Sequence, residues 1–352
     1  MSRFFSNEKY AFLYPYVPGE QPQDRRYIKL NTNESPFPPS SGVISAVTKA
    51  AENLQLYSDP KSTEITAMIA GYHGFPTDRV LVTNGSDEAL NFAFMAFCDS
   101  GTPAIYPDIS YGFYPVLAAL HRIPSIEIPL MEDLSLNVED YFQKKGMIVI
   151  ANPNAPTGLY RKPSELEQIL INSPDALLVV DEAYVDFGGE SMIPLVDHYP
   201  NLLVIRTFSK SFSLAGGRLG YAVGDPELIR DLDTLKYSTN PYNVNRMTAA
   251  AGCAALREAE YYERNCRQIE ANRRWTTQAL RDLGFTVLDS KANFLFAGSD
   301  RISGESLYLK LKDKGILVRH FSSERTREYV RITIGNRNQM EALITATKEI
   351  LA

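Results

Sequence analysis

From about residue 62 onward, short apolar runs alternate along the chain with segments of helical character. The runs span residues 80–83, 104–106, 126–129, 147–151, 177–180, 202–207 and 220–224, with helical patterns such as 87–98 and 164–171 between them. Runs that are apolar on both faces belong to covered strands, and the intervening helices supply the cover. The pattern therefore predicts a mainly parallel sheet. Residues 247–266 are rich in Ala and Glu and hold no Pro, which predicts one long helix leading out of that unit. Beyond it, short strands at 286–288, 294–296, 317–319 and 329–333 and a closing helix from Gln339 predict a smaller α+β unit. Up to about residue 40 the chain is rich in Pro, Tyr and polar residues with little periodicity, as in an irregular arm. The expected division is an arm over 1–40 joining the small domain, a large domain over 41–245 and a small domain over 246–352.

The length agrees with that division, since 352 residues exceed the roughly 250–300 at which single cores stop growing. The chain carries 36 basic and 42 acidic residues for a formal charge of −6, which argues against nucleic acid as the main partner. A local basic pocket for a small anion remains compatible with it. Cys98, Cys253 and Cys266 form no CxxC spacing, and Cys98 and Cys253 read as reduced, buried side chains of a cytosolic protein. The first residues hold no signal-peptide pattern, and no apolar run approaches the ~18 residues of a membrane span. A soluble protein with no membrane partner and no metal site is expected.

Open α/β sheets bind ligands beyond the carboxyl ends of their strands, so the strand exits are where chemistry is sought. Thr83-Asn84-Gly85-Ser86-Asp87-Glu88 joins a strand to an apolar helix. Its free amides suit a phosphate, although an ordinary helix cap gives the same pattern. Asn152-Pro153-Asn154-Ala155-Pro156-Thr157-Gly158 is a rigid loop that alone signifies only a turn. Asp181-Glu182-Ala183-Tyr184 puts a carboxylate at the end of a buried strand, where it needs a cation or good donors. A protonated pyridine nitrogen suits Asp181 and a phenolate oxygen suits Tyr184; a structural cap fits Asp181 equally. Thr207-Phe208-Ser209-Lys210-Ser211 runs on to Gly216-Gly217-Arg218, placing an amine among hydroxyls and a guanidinium on the same loop. Alone that pair reads as a solvated loop. Beside the other three exits it completes a set of phosphate donors, pyridinium partner, phenolate partner and imine-forming amine.

These residues resemble the class-II pyridoxal-phosphate aminotransferases of the aspartate-aminotransferase fold. Residues 207–216 match the lysine signature of that family. The arm segments Tyr14-Pro15-Tyr16-Val17-Pro18-Gly19 and Leu30-Asn31-Thr32-Asn33-Glu34-Ser35-Pro36, with Pro241-Tyr242-Asn243-Val244-Asn245 and residues 330–335, are most similar to histidinol-phosphate aminotransferases. The resemblance covers nearly the whole chain. It implies fold type I of the pyridoxal-phosphate enzymes, a large mainly parallel sheet domain plus a smaller α+β domain, and a homodimer with shared sites. It also implies that Lys210 carries the cofactor as an imine and moves the proton, with Asp181 on the pyridine nitrogen and Tyr184 on the ring oxygen. Gly85, Ser86, Asp87, Ser209 and Arg218 are expected at the cofactor and its phosphate, Tyr111 on the ring, and Tyr57 at the neighbouring subunit's phosphate. Arg319, Arg331, Tyr16 and Asn33 are expected around the substrate. Relatives commonly carry Asn immediately before Pro-Thr-Gly where this chain has Ala155, so either Asn154 substitutes after a small shift or Tyr184 acts without that support. Ser35 and Phe37 also depart from the usual arm.

The activity so implied is amino transfer between histidinol phosphate and 2-oxoglutarate by a ping-pong cycle, with both arginines on the substrate phosphate and Arg331 later on a carboxylate. An aromatic or broad-specificity aminotransferase and a threonine-phosphate decarboxylase share the same parts. The sensor module of a transcription regulator does too, but the acidic charge and the lack of a DNA-binding extension speak against it.

Overall fold

The computed structural model describes Tyr10 and residues 13–352; the rest of the expected arm lies outside the described residues. A seven-stranded sheet dominates, built from β2 (Val80–Thr83), β3 (Ala104–Pro107), β4 (Ser125–Ile128), β5 (Gly146–Ala151), β6 (Ala176–Asp181), β7 (Leu202–Thr207) and β8 (Gly220–Gly224). Its order is β2-β8-β7-β6-β5-β3-β4. Only β8 among them runs antiparallel to its neighbours, β2 and β7.

Side chains alternate across a strand, and here that period sorts apolar residues into two cores. Ile148, Ile150, Leu178, Val180, Leu202 and Val204 pack into one cluster, while Met147, Val149, Val179, Leu203 and Ile205 pack into another on the opposite face. Continuous apolar runs are thus strands buried on both sides. At the sheet edge the rule lapses: β4 exposes three of its four residues.

A second, antiparallel sheet of order β12-β13-β10-β9 comprises β9 (Thr286–Val287), β10 (Phe294–Gly298), β12 (Arg319–His320) and β13 (Tyr329–Thr333). The expected strand over 317–319 divides around Val318. β11 (Ile316–Leu317) pairs in parallel with arm strand β1 (Ile28–Lys29), while Arg319 pairs with Arg331. The last helix, Arg337–Leu351, begins two residues before the expected Gln339 because Asn336 and Gln339 form a capping box.

The expected long helix over 247–266 is two helices, Arg246–Arg257 and Ala259–Asp282. The break falls at Glu258, whose N–H turns back to the Ala254 and Ala255 carbonyls and whose carboxylate lies against Gly42. Ala251, Ala254, Ala255 and Tyr262 belong to the core of the large sheet, whereas Ile269 and Leu280 belong to that of the small one. We propose that the two units meet inside the Ala259–Asp282 helix.

Candidate active site

The carboxyl ends of β2, β3, β5, β6 and β7 converge on one cavity of about 530 Å³. Ser86, Asp87, Asp108, Ala155, Asp181 and Lys210 reach it from those ends, and Tyr16, Asn33, Arg319 and Arg331 close it from the arm and the small sheet.

At one corner Gly85 takes φ 81°, and the Ser86–Phe97 helix that follows has no side-chain cap, so its first amides stay open. The space there is tightly set. A Cβ on Gly85 would lie 2.6 Å from Arg218 Nη2, and one on Gly220 would lie 2.4 Å from the Ser86 nitrogen. Arg218 pairs with Asp87 at 2.9 Å, and Tyr111 donates its hydroxyl to the same carboxylate at 3.0 Å. Ser209 stands beside them, its N–H donating to Thr207 Oγ1 at 3.1 Å. Phe208, packed on Phe212 and Tyr221, anchors this turn in the large core.

Asp181 is 4% exposed at the end of β6. Its carboxylate accepts from the Tyr114 hydroxyl at 2.9 Å and the Ala183 N–H at 3.2 Å. Both donors are neutral, and burial pushes the carboxyl pKa up to about 6, so a cationic ligand group beside it is stabilising. Lys210 Nζ lies 5.7 Å from the Tyr184 ring centre. The Tyr184 hydroxyl accepts from Asn33 Nδ2 at 3.0 Å.

The opposite wall holds the arginines. Arg319 and Arg331 are direct partners across β12 and β13. Arg331 Nη2 donates to the Asn31 carbonyl at 3.1 Å, while its Nε is buried with no partner in the described chain. Arg319 donates to the carbonyls of Pro18 and Val17 at 3.1 and 3.0 Å, so it also fastens the arm that carries Tyr16. Tyr16 stands edge-on to Tyr111 at 5.9 Å.

Gly85 adjoins this cavity through Ser86, and two expected side chains are not brought to it. The Asn154 amide donates to the Ile109 carbonyl and Thr157 Oγ1, which turns it into its own loop, and Ala155 lines the cavity instead. Asn154 is therefore no substitute for the missing Asn. Tyr57 is 80% exposed and stacks on Tyr242 at 4.6 Å, outside the cavity of its own chain. Sequence reasoning missed Tyr114 and the pair Arg325–Asp108 at 2.9 Å, which ties residues 321–327 to the exit of β3. An aromatic inside an apolar helix gives no sign that its hydroxyl serves a carboxylate.

Pyridoxal phosphate fits these residues. The buried Asp181 wants a cation such as a pyridinium, the uncapped helix and Arg218 suit a phosphate, and Lys210 supplies the amine. No group of His, Cys, Asp and Glu suited to a metal occurs among the described residues.

Comparison with known proteins agrees. The family model for aminotransferase class I and II matches residues 25–346. A histidinol-phosphate aminotransferase of Brachyspira hyodysenteriae is 45% identical over 99% of each chain. The structure of a histidinol-phosphate aminotransferase from Sinorhizobium meliloti, in complex with pyridoxal-5'-phosphate, superposes with a TM-score of 0.85 at 24% identity, covering 93% of this chain and 92% of that one. An aspartate aminotransferase from Thermus thermophilus superposes with a TM-score of 0.84 at 19% identity over 99% and 100% of the two chains. The fold is that of the aspartate aminotransferases, and the chain belongs to the class I and II aminotransferase family.

Proposed function

We propose that this protein is a pyridoxal-phosphate-dependent transaminase that moves an amino group between histidinol phosphate and 2-oxoglutarate. The observation that carries the substrate choice is the Arg319–Arg331 pair, two guanidinium groups from register partners lining one cavity. Planar forks of this kind bind phosphate and carboxylate alike, as a site serving both substrates in turn requires. The 45% identical relative bearing the histidinol-phosphate aminotransferase name supports the same reading.

When bound, the cofactor supplies an electron sink for the charge left as the substrate carbon loses its proton. The remaining work falls to this chain. Asp181, backed by Tyr114, would hold the pyridine nitrogen in its protonated form. Arg218, Ser209 and the amides following Gly85 would bind the phosphate, and Tyr111 would hold the ring. Tyr184 would donate to the ring oxygen. Lys210 Nζ would take the proton from the amine-bearing carbon as general base. Arg331 and Arg319 orient the substrate by its anionic end.

Leu54, Leu56, Tyr57 and Tyr242 are exposed. A two-fold dimer would cover this surface and carry each Tyr57 to the other subunit's phosphate, so we infer a homodimer with shared sites. We also infer a cytoplasmic location, supported by three cysteines that are free. No helix among the described residues is long and apolar enough to cross a membrane.

The test is a pair of half-reactions. Histidinol phosphate alone should abolish the visible absorbance of the loaded enzyme, and 2-oxoglutarate should restore it. If phenylalanine or tyrosine does this readily and histidinol phosphate does not, the enzyme is an aromatic transaminase. Carbon dioxide released from threonine phosphate without a keto acid would make it a decarboxylase.

A further inference from the structure

The Tyr184 hydroxyl can work on a bound cofactor only if its proton points into the cavity. On one side of Tyr184 the chain offers an apolar wall of Ala155, Ala292 and Phe294. The Phe294 ring meets the Tyr184 ring edge-on at 5.0 Å and offers it no hydrogen-bonding atom. We propose that Asn33 is the positioning residue for Tyr184, turning its hydroxyl proton toward the ligand from the opposite side.

The Asn33 backbone N–H donates to Thr333 Oγ1 at 2.9 Å. Thr333 has one hydroxyl proton, and it goes to Asn33 Oδ1 at 3.1 Å. With Oδ1 on Thr333, the amide Nδ2 faces the Tyr184 oxygen, 3.0 Å away. An amide nitrogen only donates, so Tyr184 accepts there and keeps its own proton for another partner.

Asn33 is held firmly enough for the task. It is 1% exposed, and its carbonyl accepts from Asn293 Nδ2 at 3.0 Å. The Leu30 carbonyl, on the same arm, accepts from the Thr333 N–H at 2.9 Å. Its φ of 58° lies in the left-handed region, which Asn tolerates better than most side chains. Asn33 lines the cavity, and the proposal adds to that a role exerted through Tyr184.

The proposal rests on pyridoxal phosphate occupying the cavity. Tyr184 then donates to the cofactor's phenolic oxygen and favours its deprotonated form, lowering the pH midpoint at which the bound cofactor's visible absorbance changes. Loss of that donation must raise the midpoint. Asn33→Asp keeps the size of the side chain and still accepts from Thr333, but it accepts from Tyr184 and captures the proton. Asn33→Gly removes the amide and suits the left-handed backbone.

The experiment is a pH titration of absorbance for the loaded wild type, Asn33→Asp, Asn33→Gly, Tyr184→Phe and the two double variants, with circular dichroism as the check on folding. Asn33→Asp should raise the midpoint by about one unit or more, the worth of a hydrogen bond to a charged group. Asn33→Gly should raise it less. In the Tyr184→Phe background each change should lose most of its effect, whereas a bare charge effect of Asp would persist. Equal shifts with and without Tyr184, or no shift in either Asn33 variant, would overturn the proposal. If Asn33→Asp does not fold, the Asn33→Gly cycle decides by the same criterion. A wild type that binds no pyridoxal phosphate would instead sink the functional reading itself.

Discussion

Arg331→Ala should slow both half-reactions, whereas Arg319→Ala should mainly slow the one with histidinol phosphate. The Arg331 guanidinium lies 5.3 Å from the Phe294 ring centre and 5.5 Å from that of Phe321, which fixes its plane before any ligand arrives. One of its donors is spent on Asn31, and the side chain lines the cavity, where its guanidinium can meet an anion. A charge-assisted hydrogen bond is worth about 1.5–3 kcal/mol, which corresponds to a roughly ten- to hundredfold loss in kcat/KM for either substrate. Arg319 already gives two donors to the Val17 and Pro18 carbonyls, so its removal also loosens the arm. We expect about a tenfold loss with histidinol phosphate, at the lower end of the same range. Arg331→Lys keeps the charge without the planar fork and should recover only part of the rate. Stopped-flow absorbance with each substrate separately measures both effects. If Arg331→Ala spared one half-reaction, or Arg319→Ala hurt 2-oxoglutarate more, the shared-anion account would fail.

Gly220→Ala puts a methyl 2.4 Å from the Ser86 nitrogen, a backbone atom at the phosphate turn. Overpacking of this kind costs about 1–3 kcal/mol, so equilibrium dialysis should find cofactor retention weakened roughly tenfold; unchanged retention would detach the turn from the phosphate. His73 bonds the Tyr221 hydroxyl at 2.8 Å, and burial lowers its pKa from 6.5 to about 4. The unfolded chain therefore takes up a proton that the folded one refuses, and stability should drain away as pH falls from 6.5 toward 4. Thermal melts of His73→Gln should lose that part of the slope, and parallel curves would refute the assignment. Tyr57→Phe should weaken cofactor retention without unfolding the subunit, and a monomer fully active at high dilution would contradict the shared site.

The central strands were legible because burial on both faces leaves no polar position in β5, none in β6 before Asp181 and none in β7 before Arg206. Lys210 and Asp181 were legible for the same reason, being charges at the exits of apolar runs, and Arg218 was legible from its place on the Lys210 loop. What composition could not reveal was tertiary. The break at Glu258 comes with no proline nearby, and the Glu258 carboxylate lies against Gly42, more than 200 residues away. Arg319 looked like a substrate ligand and also ties down the arm. Asn154 and Ala155 are adjacent letters, and only the path of the loop decides which one meets the cavity. The partnership of Asn33 with Tyr184 joins residues that no sequence pattern connects.

The most direct test of the whole account is to reduce the pyridoxal-phosphate-loaded enzyme with borohydride and map the modified peptide by mass spectrometry. The cofactor mass should be fixed to the peptide containing Lys210, and Lys210→Ala should acquire no such label and show no turnover. Cofactor mass on any other lysine, or turnover without Lys210, would contradict it.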